Sequence, residues 1–168
     1  YGKPALSRSD VELLKNWISN GAPDKDGQIK FADNPNRKKF YVTNQGCDVV
    51  TVFDQQSLLP MRYITVGNVD GIESPHMVRV SPDGNYWYVI FIGGSYFEKY
   101  STSDDRLVGK AFIGPGIWNT FIISSDSKTA YCIDLNANGR IATVDLDNLS
   151  VTTLKGFNYP HGSALNKT

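Results

Sequence analysis

The chain has 168 residues, of which 40% are hydrophobic and 20% are charged, as in a globular protein with room for one hydrophobic core. The 17 Lys and Arg residues balance the 17 Asp and Glu residues, which argues against a nucleic-acid partner because such binding depends on clustered cations. No apolar run in the sequence is long enough for a helix that crosses a bilayer, so we expect no transmembrane segment.

The first predicted element is a short amphipathic helix over residues 7–20. Ser7 can cap its first turn, and Asp10 stands three residues later, where an acidic side chain is favourable. Gly21 suits a left-handed C-terminal cap, and Pro23 prevents the helix from continuing. The large apolar residues of the segment fall on one face at helical spacing: Val11, Leu14, Trp17 and Ile18.

From about residue 28 onward, apolar and polar residues alternate, and clusters of Gly, Asn, Asp, Ser and Pro interrupt them roughly every 8 to 12 residues. This pattern predicts many short antiparallel strands. Several markers also return at intervals of 43 to 47 residues, or at twice that interval, which indicates an internal repeat. The markers are Ser81–Gly84 with Ser124–Ser127, Tyr41 with Tyr88 and Tyr131, Asp54 with Asp145, and Pro75-His76 with Pro160-His161.

Each repeat is predicted to contain four strands, A to D, which is the size and composition of one β-propeller blade. Asp83-Gly84 and Gly93-Gly94 supply residues that tolerate positive φ in the first two turns. Asp104-Asp105 is predicted to be a solvent-exposed turn between strands C and D. In the clearest repeat the strands are A, His76–Val80; B, Tyr86–Ile92; C, Tyr96–Tyr100; and D, Leu107–Ile113.

The predicted fold is therefore all-β: a partial β-propeller of four-stranded antiparallel blades, about three blades plus the start of a fourth, with a short N-terminal α-helix. Residues 1–27 form the helix and linker, the blades lie at 28–67, 74–114 and 117–158, and the next begins at 159–168. The first blade has a weak strand A at Gln28–Ala32. Because an open arc leaves bare sheet faces, we expect further blades after Thr168, or another protein chain, to complete it. The 168 residues alone are not expected to form a stable monomer.

Two motifs resemble a known repeat. Tyr41-Val42-Thr43-Asn44 has the letters that name the YVTN-type β-propeller repeat, and Pro75–Gly84 is similar to the opening of that family's blades. The resemblance covers residues 28–168 and implies a WD40-like propeller related to lactonase and surface-layer propellers. The third repeat departs from the pattern, since Trp118-Asn119 replaces Pro-His and Ser125–Ser127 replaces Pro-Asp-Gly.

The N-terminal segment also resembles a known element. Residues 6–23, which end in Trp17-Ile18-Ser19-Asn20-Gly21-Ala22-Pro23, are similar to the C-terminal helix of bacterial cytochrome c domains. An ordinary amphipathic helix packed on a blade is the alternative. The resemblance implies a haem-attachment motif upstream of Tyr1, so we expect no cofactor in this chain. Cys47 and Cys132 lack the spacing of a redox or zinc motif and are predicted to be buried free thiols.

Candidate ligand residues cluster at the start of strand A, which lines the channel of a propeller. His76 and His161 occupy equivalent positions, Trp118 stands at the matching place in the third repeat, and Asn119 and Arg79 lie nearby. These five residues are predicted to bind a small polar ligand at the channel mouth. In the alternative, the histidines hydrogen-bond the neighbouring blade and Trp118 fills space between blades. Two histidines without further ligands predict no metal site.

The motifs of common enzyme classes are missing from the sequence, and no catalytic residues are predicted. The sequence therefore favours a non-enzymatic ligand- or protein-binding module of a bacterial cell-envelope protein, periplasmic or extracellular. The resemblance of the N-terminal helix implies a link to electron transfer through a cytochrome c domain. The alternative, which the resemblance leaves open, is a propeller enzyme, either a lactonase-like hydrolase or a haem-dependent oxidoreductase.

Overall fold

The computed structural model describes residues 4–32, 34, 36–68 and 70–166. It divides into two compact units, Tyr1–Arg37 and Lys38–Thr168. Among these described residues, the first unit contains helix α1 (Arg8–Ser19), and the second contains eleven strands. The strands are β1 (Lys39–Asn44), β2 (Val49–Asp54), β3 (Pro60–Thr65), β4 (Pro75–Val80), β5 (Tyr86–Phe91), β6 (Tyr96–Ser101), β7 (Leu107–Phe112), β8 (Trp118–Ile123), β9 (Thr129–Asp134), β10 (Gly139–Asp145) and β11 (Val151–Phe157).

Helix α1 begins and ends where the capping residues indicate. The Ser7 hydroxyl accepts a hydrogen bond from the Asp10 amide at 3.1 Å, and Gly21 follows the helix at a φ of 83°. The Trp17 indole donates to the Pro23 carbonyl oxygen at 2.7 Å, which closes the turn after the helix. Within the described part of the chain, no helix has the length and apolar character needed to span a membrane.

Three antiparallel sheets make up the second unit. Their strand orders are β1-β2-β3, β4-β5-β6-β7 and β8-β9-β10-β11, so each sheet is a simple meander, here called blade 1, blade 2 and blade 3. Blades 2 and 3 share one register at an interval of 43 residues, since Pro75 pairs with Phe91 and Trp118 pairs with Asp134. The architecture confirms the prediction of an all-β chain with propeller-type blades and one short N-terminal helix.

Blade 1 has three strands, and the predicted strand A at Gln28–Ala32 is wrong. Phe31 adopts a φ of 65°, and the Ala32 amide donates to the Ile29 carbonyl oxygen at 3.2 Å. These features form a tight turn, which an extended strand cannot contain. Strand β1 is therefore the first strand of blade 1 and corresponds to strand B of the other two blades.

The sheets pack face to face around two apolar clusters. The cluster between blades 1 and 2 includes Trp87 and Val89, and the cluster between blades 2 and 3 includes Tyr88 and Ile90. Successive side chains of a strand point to opposite faces. The sequence of strand β5 is apolar without alternation because both of its faces are buried.

Aromatic rings dominate both clusters. Trp87 stacks on Tyr100 with ring centroids 4.0 Å apart, and Tyr41 of blade 1 lies 5.1 Å from Trp87. At the other junction, Phe97 of blade 2 meets Phe121 of blade 3 edge to face at 5.3 Å. Such pairs contribute about 0.5–1.5 kcal/mol beyond the area they bury.

Both cysteines are free, as the sequence predicts, but only one of them is buried. Cys132 lies inside the cluster between blades 2 and 3, and burial raises the pKa of its thiol far above the usual range. Cys47 is exposed in the turn between β1 and β2, so its predicted burial is wrong. The neighbouring turn residues Gln45 and Gly46 are exposed as well, so Cys47 lies on the surface of the turn.

Phe97→Ala tests the junction between blades 2 and 3. Phe97 is fully buried, so we expect a loss of about 3–5 kcal/mol in the free energy of unfolding, measured by urea denaturation. The matched control is Phe112→Ala, because Phe112 is 61% exposed and its loss should cost less than about 1 kcal/mol. Equal losses in the two variants would contradict the packing described here.

Candidate functional site

The predicted ligand residues lie on strands β4 and β8 and on the segment that follows blade 3. His76 is half-buried near the start of β4, and its Nδ1 lies 2.6 Å from the backbone oxygen of Asn119 on β8. Because a carbonyl oxygen only accepts, Nδ1 is the donor of this hydrogen bond. His76 therefore makes the contact to the neighbouring blade that the alternative interpretation expects, and in the neutral imidazole Nε2 would be the remaining acceptor.

Asn119 is 5% exposed, and its amide oxygen is buried. Within the described ranges that oxygen has no hydrogen-bond partner. A buried polar atom without a partner costs about 1–3 kcal/mol. Asn119 occupies the position in β8 that His76 occupies in β4, so the two side chains sit in corresponding environments on successive blades.

Trp118 is sealed inside blade 3. Its side chain is fully buried, and its indole nitrogen donates to the Gly114 carbonyl oxygen at 2.8 Å. The Arg140 guanidinium covers the ring at 5.0 Å from the centroid and donates through Nε to the Asp134 carboxylate at 2.9 Å. Trp118 thus has the environment of a packing residue and exposes no surface to a ligand.

Arg79 lines a groove of about 570 Å³ between β4, β8 and the segment after blade 3. Three positions further along β4 than His76, it lies about 10 Å away along the strand. His161 is exposed on the segment that follows blade 3. The structure therefore brings His76 and Asn119 into contact, places Arg79 in the groove and buries Trp118. Ligand binding by these residues stays a prediction.

A buried carboxylate joins blade 1 to blade 2, and the sequence analysis missed it. Asp105 is 3% exposed, so the prediction of a solvent-exposed turn is wrong for this residue. The Lys39 ammonium approaches it at 2.8 Å, and the Arg62 guanidinium lies 3.5 Å away. The Tyr41 hydroxyl and the Trp87 indole donate to its other oxygen at 3.1 and 3.2 Å. Burial and the Asp105 charge raise the pKa of Tyr41 well above its usual range.

A second buried carboxylate fastens the connection between blades 1 and 2. Glu98 is fully buried and pairs with the Lys110 ammonium at 2.5 Å. It also accepts hydrogen bonds from the Gly67 amide at 3.1 Å and from the Tyr100 hydroxyl at 2.7 Å. Burial is the larger cause, and the nearby Glu98 charge the second, of a raised pKa of Tyr100. Both carboxylate oxygens of Glu98 therefore have partners within the protein, which is the arrangement of a structural network.

No group of three or more His, Cys, Asp or Glu side chains in the described part of the chain is placed to hold a metal ion. His76 and Asn119 belong to β4 and β8, whereas the buried carboxylates Asp105 and Glu98 belong to the junction of blades 1 and 2. Of the five predicted ligand residues, Arg79 is the one that lines the groove between β4, β8 and the segment after blade 3.

Asp105→Asn tests the fastening of blade 1 to blade 2. The change leaves the 7%-exposed Lys39 side chain without its anionic partner, and we expect a loss of about 3–5 kcal/mol in the free energy of unfolding. The control is Asp104→Asn, whose side chain is 51% exposed and whose loss should leave the urea midpoint unchanged. An unchanged midpoint for Asp105→Asn would contradict the structural role of this carboxylate.

Solved β-propeller proteins share this fold. Hydrazine synthase from Kuenenia stuttgartiensis matches with a TM-score of 0.63 at 24% identity, over 70% of this chain and 34% of that chain. A dihydro-heme d1 dehydrogenase, NirN, in complex with DHE matches with a TM-score of 0.62 at 19% identity, over 75% of this chain and 27% of that one. This chain therefore spans about a third or less of those chains' length. The sequence matches no protein-family model and no curated protein. At these identities the likeness establishes the fold, which is that of β-propeller blades.

Proposed function

We propose that this chain is a non-enzymatic binding module of a β-propeller protein and that its ligand lies in the groove beside Arg79. The observation that carries the proposal is the groove itself, about 570 Å³ in volume and formed where inner strands of successive blades meet. That volume falls within the range of roughly 300–1,000 Å³ found for small-molecule sites. The groove does not include Trp118, which is buried inside the protein.

Three lining residues occupy the same place in successive repeats. Arg79 pairs with Tyr88 in blade 2, and Ile122 pairs with Tyr131 in blade 3. Each residue of the second pair lies 43 positions after its counterpart in the first pair. Leu165 follows Ile122 at the same interval and also lines the groove. Each repeat thus contributes one side chain to one surface, as strand A does around the channel of a propeller.

The lining favours a small anion with an apolar portion. Arg79 is exposed and forms no ion pair within the described residues, so its guanidinium is available to a carboxylate or a similar group. Ile122 and Leu165 offer apolar contact, while Ser125 and Asn166 offer polar groups at the same surface.

The groove is better suited to binding than to catalysis. Arg79 is the one charged side chain among its lining residues, and a guanidinium cannot act as a general base at neutral pH. The Ser124 hydroxyl donates to the Asp126 carboxylate and also accepts from the Thr129 amide. Those bonds hold the turn between β8 and β9.

A redox role is the second candidate. It is supported by the description of NirN as a dihydro-heme d1 dehydrogenase in complex with DHE, and by the free Nε2 of His76, which could ligate a metal centre supplied by a cofactor. In this version the YVTN-type blades would belong to a cell-envelope protein, periplasmic or at the cell surface. Helix α1 would then be the end of a cytochrome c-like domain.

Hexanoate is a suitable probe for the binding proposal, with hexanol as its uncharged counterpart. In a two-dimensional amide NMR titration of the 168-residue chain, hexanoate should shift the signals of Arg79, Ser125 and Leu165. Arg79→Gln should weaken binding by about tenfold or more, because a hydrogen bond to a charged group contributes about 1.5–3 kcal/mol and 1.4 kcal/mol corresponds to tenfold. Arg106→Gln is the control, since the Arg106 side chain is 86% exposed.

Hexanol binding as tightly as hexanoate, or equal affinity for the Arg79→Gln variant, would rule out the anion site. Haem titration, followed by absorbance, distinguishes the redox role from the anion-binding module. A Soret shift that His76→Ala abolishes would favour the redox role over the simple binding module.

A further inference from the structure

We propose that Tyr100 is a redox-active tyrosine and that Trp87 and Tyr41 carry an electron between it and a surface oxidant. Indole and phenol rings are among the side chains that lose one electron most readily. Three of them lie in contact at the junction of blades 1 and 2. The Trp87 ring centroid is 4.0 Å from that of Tyr100 and 5.1 Å from that of Tyr41. None of the three rings lines the groove beside Arg79, so this role does not rest on the binding function proposed above.

The three rings form a continuous path from a buried site toward solvent. The Trp87 and Tyr100 rings are nearly parallel, with an interplanar angle of 8°, and the Tyr41 ring is tilted by 30° against Trp87. Electron transfer slows steeply with distance, so rings that touch exchange an electron much faster than separated rings. Trp87 and Tyr100 are buried, whereas Tyr41 is half-buried. An oxidant at the surface therefore draws its electron through Tyr41 and Trp87.

Tyr100 also has a proton acceptor in place. A phenol that has lost an electron is a strong acid, and an uncompensated positive charge is costly inside a protein. The Tyr100 hydroxyl donates to the buried Glu98 carboxylate at 2.7 Å, so its proton has only a short distance to move. Burial raises the pKa of Tyr100, so the hydroxyl keeps its proton until the ring is oxidised. Tyr100 is therefore arranged to lose an electron and a proton together.

The step requires a one-electron oxidant, and a high-potential metal complex is the chemical class that fits. The oxidant gains one electron, which leaves the Tyr100 ring by way of Trp87 and Tyr41. The O–H bond of Tyr100 breaks, and its proton forms a new O–H bond on Glu98. The products are the reduced oxidant, a neutral tyrosyl radical and a neutral Glu98 carboxylic acid. The Lys110 side chain, which pairs with Glu98 and is 26% exposed, is then compensated by solvent.

The charges around the two tyrosines favour the radical on Tyr100 rather than on Tyr41. The Tyr41 hydroxyl donates to Asp105 at 3.1 Å, but that carboxylate pairs with both a lysine and an arginine. Protonation of Asp105 would leave two cations without their anion, and loss of one partner of a buried ion pair is costly. Protonation of Glu98 leaves only Lys110 without its anion.

Photo-oxidation of the 168-residue chain tests the site, with tris(bipyridine)ruthenium as the oxidant and persulfate as the final electron acceptor. Electron paramagnetic resonance after a light flash should show a long-lived tyrosyl radical. Tyr100→Phe should lower that signal about tenfold or more, because phenylalanine keeps the stacked ring but has no hydroxyl proton to transfer. Tyr63→Phe is the matched control and should leave the signal unchanged, because Tyr63 is 68% exposed and radicals on exposed tyrosines decay quickly by coupling.

Two further variants test the path to the surface. Trp87→Phe and Tyr41→Phe each keep an aromatic ring, but phenylalanine gives up an electron far less readily than tryptophan or tyrosine. Both changes should slow the formation of the Tyr100 radical, followed by transient absorbance after the flash. Circular dichroism establishes that each variant is folded, and Tyr41→Phe, which removes a single hydroxyl group, serves if Trp87→Phe does not fold.

Three outcomes would overturn the proposal. One is the absence of a long-lived tyrosyl signal from the unaltered chain. Another is a signal that Tyr100→Phe leaves intact, or that Tyr63→Phe lowers as strongly. The third is a rate of radical formation that stays the same in the folded variants Trp87→Phe and Tyr41→Phe, since the electron would then leave Tyr100 by another path.

Discussion

Each sheet of this protein depends on its neighbours to bury its two apolar faces. Strand β5 shows the constraint, because Trp87 packs toward blade 1 and the adjacent Tyr88 packs toward blade 3. A single blade could bury neither side chain, and apolar burial contributes about 25 cal/mol per Å². Blade 2 therefore holds the unit together, while blades 1 and 3 each have one face that no described sheet covers. The groove beside Arg79 follows from the same packing, since it lies where the inner strands of neighbouring blades meet.

The junction of blades 1 and 2 also contains buried charge. Asp105 and Glu98 are both enclosed, and each has a lysine and a tyrosine hydroxyl as partners. Buried ion pairs add little net stability, but removal of one partner is costly. Any arrangement of the two blades that separates these partners therefore has a higher free energy. The charges of the junction are paired within the protein, whereas Arg79 in the groove forms no ion pair with a described residue.

The sequence predicts blade 2 to within one residue at each strand end, because Asp83-Gly84 and Gly93-Gly94 mark its turns and the 43-residue repeat supplies the period. It misplaces features that depend on a neighbour. Asp104 and Asp105 look identical in sequence, yet blade 1 encloses only Asp105. Residues 28–32 have strand-like composition, but a positive φ at Phe31 turns the chain. Trp118 is buried in the cluster between blades 2 and 3 and lies under Arg140, 22 positions away in sequence, and local pattern does not reveal these contacts.

Packing on both faces makes blade 2 the most stable part of the molecule. Amide hydrogen exchange measured residue by residue tests it directly, because protection reports the free energy of local opening. We expect the slowest exchange in β5, whose residues after Tyr86 are all buried, and faster exchange in β3, whose residues are exposed or half-buried. Exchange in β5 as fast as in β3 would show that packing on both faces does not make blade 2 the most stable part.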